Sequence, residues 1–265
     1  IGNHRSFLMR VETLLHLQPG DDPLRRILSR LAEGETGDLD LPPGCEVTYE
    51  LEAIRLLEAQ LRAPNAAHTL QAWYRDFLER TGRRPTALDA FHEGRNPRSA
   101  RQSHGSWLRF VAAQGDLDPE TIDLIRSADL ASSFLGELER TKMEKSYKMV
   151  VLLALLRQDQ LPGGLHIDEL ASGFLEIASR SHRIERELDL QPGESLSSLK
   201  SILRQSPLKA WCKPHRDRVY FEFEESSFTS SFTVPESRRS EFASLVHELA
   251  SWRLAEHLAG QATAG

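Results

Sequence analysis

The longest uninterrupted apolar run in this 265-residue chain spans residues 149–156, MVVLLALL. A helix that is apolar around its whole circumference is stable in water only when other elements cover every side of it. The run is also much shorter than the roughly 18 apolar residues needed to cross a membrane. The sequence therefore predicts a buried helix at the centre of a folded domain, with no membrane partner.

The segments around this run predict the elements that cover it. Apolar residues at spacings of three and four predict amphipathic helices over 167–181, 196–203 and 236–258. Two runs with alternating character, 219–223 and 227–232, predict the strands of a β-ribbon. Helices followed by a β-ribbon is the order of elements in a winged helix. We therefore predict a mainly α protein with a winged-helix-like domain over residues 146–260.

The segment before this domain predicts several short helices joined by tight turns. Thr69 is placed to cap the first helix, and Gly82 is placed to end it in the left-handed conformation. Short helices with such connections are typical of helix-turn-helix modules. We therefore predict a helix-turn-helix-like module over residues 66–115, followed by one connecting helix over residues 116–145.

This module also carries the densest positive charge of an acidic chain. Positions 80–109 hold seven arginines and two acidic residues, a net charge of +5, whereas the whole chain carries −6. Cations gathered in this way are typical of proteins that bind polyanions, although a solvated arginine-rich face is a structural alternative. The predicted nucleic-acid-binding residues are Arg80, Arg83, Arg84, Arg95, Arg98, Arg101, His104 and Ser106, with Lys145 and Lys148 as a second group.

One of these residues belongs to a predicted anion site. Gly105, Ser106 and Trp107 read as the start of a helix, with Ser106 as its cap. The backbone N–H groups in the first turn of a helix attract anions. The sequence therefore predicts that a phosphate group of DNA binds at this helix start.

Motifs for catalysis are weak in this chain. No glycine is followed by lysine, so the phosphate-binding loop G-x4-G-K-[ST] is absent, and we expect neither ATP hydrolysis nor a bound cofactor. Asp168 and Glu169 begin a DExx-like motif, but two acids also fit the first turn of a helix. The glutamates of the predicted ribbon, Glu222 and Glu224, leave a metal-dependent nuclease as a minor alternative to the solvated side of a strand.

The number of cysteines limits which cellular compartment and which metal sites the sequence can indicate. Cys45 and Cys212 are the two cysteines of the chain, too few for a four-ligand zinc site or a disulfide scaffold. We therefore expect a cytoplasmic, reduced protein without a structural metal.

Three stretches resemble known families. Residues 1–8, IGNHRSFL, with 41–47, LPPGCEV, resemble the segment that follows the second motor domain in restriction- and phage-defence-type superfamily II DEAD/DEAH-box helicases. Residues 82–86, GRRPT, with Ser99, residues 105–107, GSW, and Gly115, are similar to the DNA-binding repeat associated with homing endonucleases. Residues 145–156 resemble the helix that opens the winged-helix region of the same helicases. More distantly, they resemble a stretch of the sulfur-binding domains in phosphorothioate-dependent restriction endonucleases.

The resemblance to helicases implies a non-catalytic, DNA-binding C-terminal region of a superfamily II DNA helicase or translocase that serves restriction, phage defence or repair. Residues 1–65 would then be the end of the motor and its connecting helices. The partners implied are DNA and the motor domains of the same parent chain, where ATP and Mg²⁺ would bind. The alternative is a protein-interaction platform, in which the arginines meet an acidic protein surface and the amphipathic helices dock the motor or a defence partner.

Overall fold

The computed structural model describes residues 66–188 and 196–262. The predicted end of a motor domain, residues 1–65, and the helicase-like motifs within it lie outside the described residues. From Leu70 onwards the chain forms one compact unit, Leu70–Gly265. The predicted basic module from residue 70 onwards, the connecting segment and the winged-helix-like domain fall within this unit.

The described residues are mainly helical, as the sequence predicts. Three short helical turns, Pro97–Ser99, Arg204–Leu208 and Glu236–Arg238, supplement the α-helices. In chain order the α-helices are α1 (Ala66–Thr81), α2 (Ala87–His92), α3 (Ala100–His104), α4 (Trp107–Gln114), α5 (Pro119–Arg126), α6 (Leu130–Leu138), α7 (Tyr147–Arg157), α8 (Ile167–Ala178), α9 (His182–Leu188), α10 (Leu196–Leu203), α11 (Lys209–Trp211) and α12 (Arg239–Ala262).

The apolar run predicted to lie at the centre of the fold does so in α7. Met149, Val151, Leu152 and Leu155 have no exposed surface. The helices α8 and α12 both pack against α7, and α12 also contacts α2, α5 and α6. Burial of apolar surface contributes roughly 25 cal/mol per Å², so the residues of α7 make a large contribution to the stability of the unit.

A three-stranded antiparallel sheet contacts α8 and α11. Its strands are β1 (Gly164–His166), β2 (Phe221–Glu224) and β3 (Ser227–Ser230), in the order β1-β3-β2. The two strands of the predicted ribbon are β2 and β3, whereas β1 falls where the sequence indicates only a turn. Strand β1 reaches β3 because residue 164 is glycine: a Cβ atom there would lie 2.5 Å from Thr229 Oγ1 and 2.8 Å from the backbone oxygen of Phe228.

Local sequence patterns predicted some helix ends correctly and others wrongly. Gly82 follows α1 with φ of 71°, as predicted, but α1 begins at Ala66, so Thr69 lies inside the helix rather than at its cap. The predicted single connecting helix is two helices, α5 and α6. The chain breaks between them because the Asp129 side chain accepts a hydrogen bond from Ser132 N at 2.7 Å and so starts α6 anew.

Within the described ranges no helix combines the length and the apolar character needed to span a bilayer.

Candidate nucleic-acid interface

Two arginines of the basic module form ion pairs inside the module. The guanidinium of Arg83 binds Asp89 in bidentate fashion, with N–O distances of 2.8 and 2.9 Å. Arg80 Nη2 lies 2.9 Å from Glu93 Oε1. The Arg83 guanidinium holds the pKa of Asp89 well below its usual range, and hydrogen bonds from Thr86 act in the same direction. These cations therefore already have counter-charges within the chain.

Two further arginines of the module bind the C-terminal helix α12. Arg84 Nη2 lies 2.8 Å from Glu248 Oε2, and the Glu248 side chain is only 4% exposed. Arg98 Nε and Nη2 bind the two carboxylate oxygens of Glu256 at 2.5 and 2.7 Å. These contacts join segments about 160 residues apart, so they hold the basic module on α12.

The Glu248 carboxylate has three partners. Besides Arg84, it accepts hydrogen bonds from the Ala87 backbone N–H at 2.9 Å and from Trp107 Nε1 at 2.7 Å. Ala87 is the first residue of α2, so Glu248 also satisfies a backbone donor that a helix start leaves free. The arginine predicted to bind phosphate thus belongs to a buried polar network.

The predicted anion site at the start of α4 holds a carboxylate of the chain itself. Ser106 caps α4 as predicted, by accepting a hydrogen bond from Arg109 N at 3.1 Å. The backbone N–H groups of Trp107 and Leu108 donate to the two carboxylate oxygens of Glu139, at 2.9 and 3.2 Å. Burial raises the pKa of Glu139. The predicted occupant was a phosphate group, whereas these N–H groups bind a carboxylate from the end of α6.

The remaining residues of the predicted site have dissimilar surroundings. Arg101 Nη2 donates to the backbone oxygen of Glu139, and burial lowers the pKa of Arg101. His104 shares a hydrogen bond with Ser103 Oγ at 2.8 Å. Arg95 is exposed and pairs with no carboxylate among the described residues. The module therefore does not present its arginines as one open cationic face.

The second predicted group lies in a more cationic setting. A cleft of about 440 Å³ opens between residues 142–148 and residues 205–213. We call it the lysine cleft, because it is lined by Lys142, Lys145, Lys148, Lys209 and Lys213, with Glu144 as the one carboxylate of its lining. None of the five lysines forms an ion pair with a carboxylate in the described part of the chain.

Neutral groups hold two of these lysines in place. Lys148 Nζ donates to Thr141 Oγ1 at 3.0 Å and lies 5.4 Å from the centroid of the Trp211 ring. Burial lowers the pKa of Lys148. Lys145 Nζ lies 3.3 Å from Tyr147 Oη and 5.1 Å from the centroid of the same ring. Contacts with aromatic faces stabilise ammonium groups without neutralising them.

Sequence patterns located only part of this cleft. Lys142, Lys145 and Lys148 were recognisable as a local group, but Lys209 and Lys213 follow some sixty residues later. Trp211 joins the two segments, since its Nε1 donates to the backbone oxygen of Lys148 at 3.2 Å. The spacing of four between Lys209 and Lys213 is the one local signal that could have indicated a shared face.

The acidic motifs occupy structural positions. Asp168 and Glu169 lie in the first turn of α8, where the sequence predicts acids that favour a helix start. Glu222 and Glu224 are exposed on β2 and alternate with less exposed phenylalanines. Among residues 66–188 and 196–262, no three metal-ligating side chains converge on a common point.

No protein-family model, curated protein or solved structure matches this chain.

Proposed function

We propose that this chain is the non-catalytic, DNA-binding C-terminal region of a superfamily II DNA helicase or translocase, and that it holds DNA phosphates in the lysine cleft. The observation that carries the proposal is the convergence of five lysines on a cleft with one carboxylate in its lining. Lysine ammonium groups that contact phosphates release condensed counterions, which makes binding favourable and independent of base sequence. The ATP and Mg²⁺ sites would lie in the motor domains, in line with the resemblance of residues 1–8 and 41–47.

The order of elements supports a winged-helix-like domain. The chain runs α7, β1, α8, α9, α10, α11, β2, β3, so α9 and α11 are additions to the winged-helix order, and the sheet order β1-β3-β2 is compatible with that arrangement. In that arrangement α10 is the recognition helix that enters the major groove. Its C-terminal end continues through Arg204–Leu208 into α11, which brings Lys209 to the lysine cleft. Lysines of the cleft would then contact the DNA backbone and orient α10 on a duplex.

The helix ends within residues 66–115 are compatible with the helix-turn-helix-like assignment. Gly82, Gly105 and Gly115 each follow a helix with φ of 71°, 80° and 88°, so the positions that carry the resemblance to the homing-endonuclease repeat act as helix ends. In this proposal Arg84 and Arg98 brace the module against α12, and Arg95 remains exposed for contact with phosphate.

The test is a DNA titration at several salt concentrations with the variant Lys209→Ala/Lys213→Ala. Loss of two phosphate contacts predicts a salt slope reduced by about 1.8 and an affinity lowered about tenfold. Arg75→Ala/Arg126→Ala is the control, because it removes the same charge from exposed arginines that do not line the cleft.

The proposal requires that the unmodified chain bind duplex or single-stranded DNA at low salt. Absence of such binding, or equal losses in the lysine variant and its control, would refute phosphate binding in the cleft. Far-UV circular dichroism verifies that both variants remain helical.

The exposed acids on the hairpin favour one alternative, a protein-interaction platform. Glu222, Glu224 and Glu225 are exposed on β2 and its turn, where they would repel phosphate and attract a basic protein surface. Co-purification with the motor domains of the parent chain, lost in Glu222→Lys/Glu224→Lys while DNA affinity does not fall, would favour this function over DNA binding.

A further inference from the structure

A second cationic cavity lies outside the lysine cleft. Its volume is about 420 Å³, and it is enclosed by the start of α4, one face of α6 and the segment 215–220. We call it the arginine cavity, because four arginines line it: Arg109, Arg140, Arg216 and Arg218. These residues come from three separated parts of the sequence, so no local pattern indicates that they meet.

Backbone geometry places two of the arginines at the cavity. His215 and Arg218 exchange backbone hydrogen bonds of 2.8 and 3.0 Å. The two residues between them, Arg216 and Asp217, have φ of 49° and 64°. Two left-handed residues between paired positions make a tight hairpin turn. This turn holds Arg216 and Arg218 at the cavity despite the left-handed conformation that Arg216 must adopt.

A neutral contact fixes a third arginine. Arg140 Nη2 donates to the backbone oxygen of Gly105 at 2.9 Å, next to the start of α4. Arg109 lies in the first turn of α4 and is exposed. The guanidinium groups are thus supplied by α4, by the segment after α6 and by the turn.

The carboxylates of the cavity are engaged with other groups. Glu137 Oε1 lies 3.2 Å from His215 Nδ1, and the Glu139 carboxylate accepts the two backbone hydrogen bonds at the start of α4. Consequently Arg109, Arg216 and Arg218 have no carboxylate partner within the described ranges. Elsewhere in those ranges many arginines do have one: Arg80, Arg83, Arg84, Arg98, Arg157, Arg180, Arg238, Arg239 and Arg253.

We propose that the arginine cavity binds a phosphate-dense anion, either a free polyphosphate such as a nucleoside triphosphate or the 5′-phosphorylated end of a nucleic acid strand. Guanidinium groups match phosphate oxygens in bidentate geometry. Uncompensated cations that surround one cavity repel each other, and a bound polyanion relieves that repulsion. The cavity volume falls within the usual range for small-molecule sites. This proposal does not rest on DNA binding in the lysine cleft.

Isothermal titration with inorganic triphosphate, ATP and a short oligonucleotide with or without a 5′-phosphate tests the proposal. The unmodified chain should bind triphosphate saturably, and Arg109→Ala/Arg218→Ala should weaken that binding about tenfold or more. Arg75→Ala/Arg204→Ala is the charge-matched control, and its affinity should change less than about twofold, because neither residue lines the cavity. Both variants alter exposed side chains, so the fold should persist.

The choice of ligands distinguishes a free nucleotide from a phosphorylated strand end as the natural ligand of the arginine cavity. Preference for the 5′-phosphorylated strand over its 5′-hydroxyl form identifies a strand end, whereas tight ATP binding without that preference identifies a free nucleotide. Lack of saturable triphosphate binding at millimolar concentration, or equal losses in the cavity variant and its control, overturns the proposal. Failure of duplex DNA to bind affects only the lysine cleft, so the two proposals fail in distinguishable ways.

Discussion

The basic module and the lysine cleft both gather cations but use them differently. In the module, Arg83, Arg84 and Arg98 each lie within 2.8 Å of a carboxylate. In the cleft, five lysines share a lining with one carboxylate and form no ion pair within the described residues. The density of charge along a sequence therefore shows where cations are concentrated, and the tertiary pairing decides which of them are available to a ligand.

The chemistry of the two side chains accounts for the difference. A guanidinium is planar and can be satisfied by one carboxylate through two hydrogen bonds, as Arg83 is by Asp89. An ammonium is strongly hydrated and keeps its charge near the surface. In this chain the module arginines stabilise contacts between helices, whereas the lysines leave a cationic surface.

The largest predicted effect comes from removing a carboxylate that the module arginines need. Glu248→Ala should reduce the free energy of unfolding by about 2–4 kcal/mol, because it leaves the partly buried guanidinium of Arg84 and the buried indole N–H of Trp107 without their partner. Denaturant titration measures this difference. Glu241→Ala, at an exposed position of the same helix, is the control. Similar stability of the two variants would show that the module does not depend on this network.

A smaller loss of stability is expected when the ion pair between Arg83 and Asp89 is removed. Asp89→Asn should reduce the free energy of unfolding by about 1–2 kcal/mol, since Asp89 both binds Arg83 and completes the capping box with Thr86. Asp76→Asn is the control, because Asp76 is exposed and lies 3.9 Å from Arg80. Equal effects would mean that the bidentate pair adds nothing beyond a surface contact.

The contribution of Asp89 to the free energy of unfolding should also depend on pH. Its pKa is lowered in the folded state, so the folded chain binds fewer protons there than the unfolded chain does. The stabilisation is therefore complete above the unfolded pKa of about 3.9 and is lost as the pH falls towards the folded value. Unfolding of the unmodified chain and of Asp89→Asn between pH 6 and pH 2 should show a difference that shrinks on acidification. A constant difference would mean that the ionised form of Asp89 adds no stability beyond that of its neutral form.

The smallest predicted effect is on DNA affinity. Arg83→Ala/Arg98→Ala should change the affinity for duplex DNA less than about twofold, because both guanidinium groups already bind carboxylates. DNA is titrated into this variant and into Lys209→Ala/Lys213→Ala, each below its own unfolding temperature, and the two losses of affinity are compared. A greater loss in the arginine variant than in the lysine variant would reverse the contrast between the two regions.

Local features of the fold could be predicted because their causes act over a few residues. The buried helix at residues 149–156, the helix at 196–203, the left-handed Gly82 and the cap at Ser106 all follow from spacing or from backbone chemistry. Strand β1 could not be predicted, because its three residues carry no alternating pattern and pair with β3 through a close approach that Gly164 permits.

The candidate sites were harder to predict because their members come from distant segments. Arg84 is 164 residues from Glu248, so nothing near Arg84 in the sequence indicates its neutralisation. Lys209 and Lys213 likewise reach the lysine cleft only through the packing of Trp211 against α7.

The sequence by itself determined a mainly helical unit around an apolar helix, a β-hairpin after it, and an excess of arginine in residues 80–109. Only the tertiary structure decided that Glu248 and Glu256 neutralise part of that excess, that Glu139 occupies the start of α4, and that separated lysines and arginines line two cavities. The physical reason is the sequence separation over which each interaction acts. Helix periodicity and capping depend on residues close together in the sequence. An ion pair depends on two side chains that are close in space, and tertiary packing decides which side chains these are.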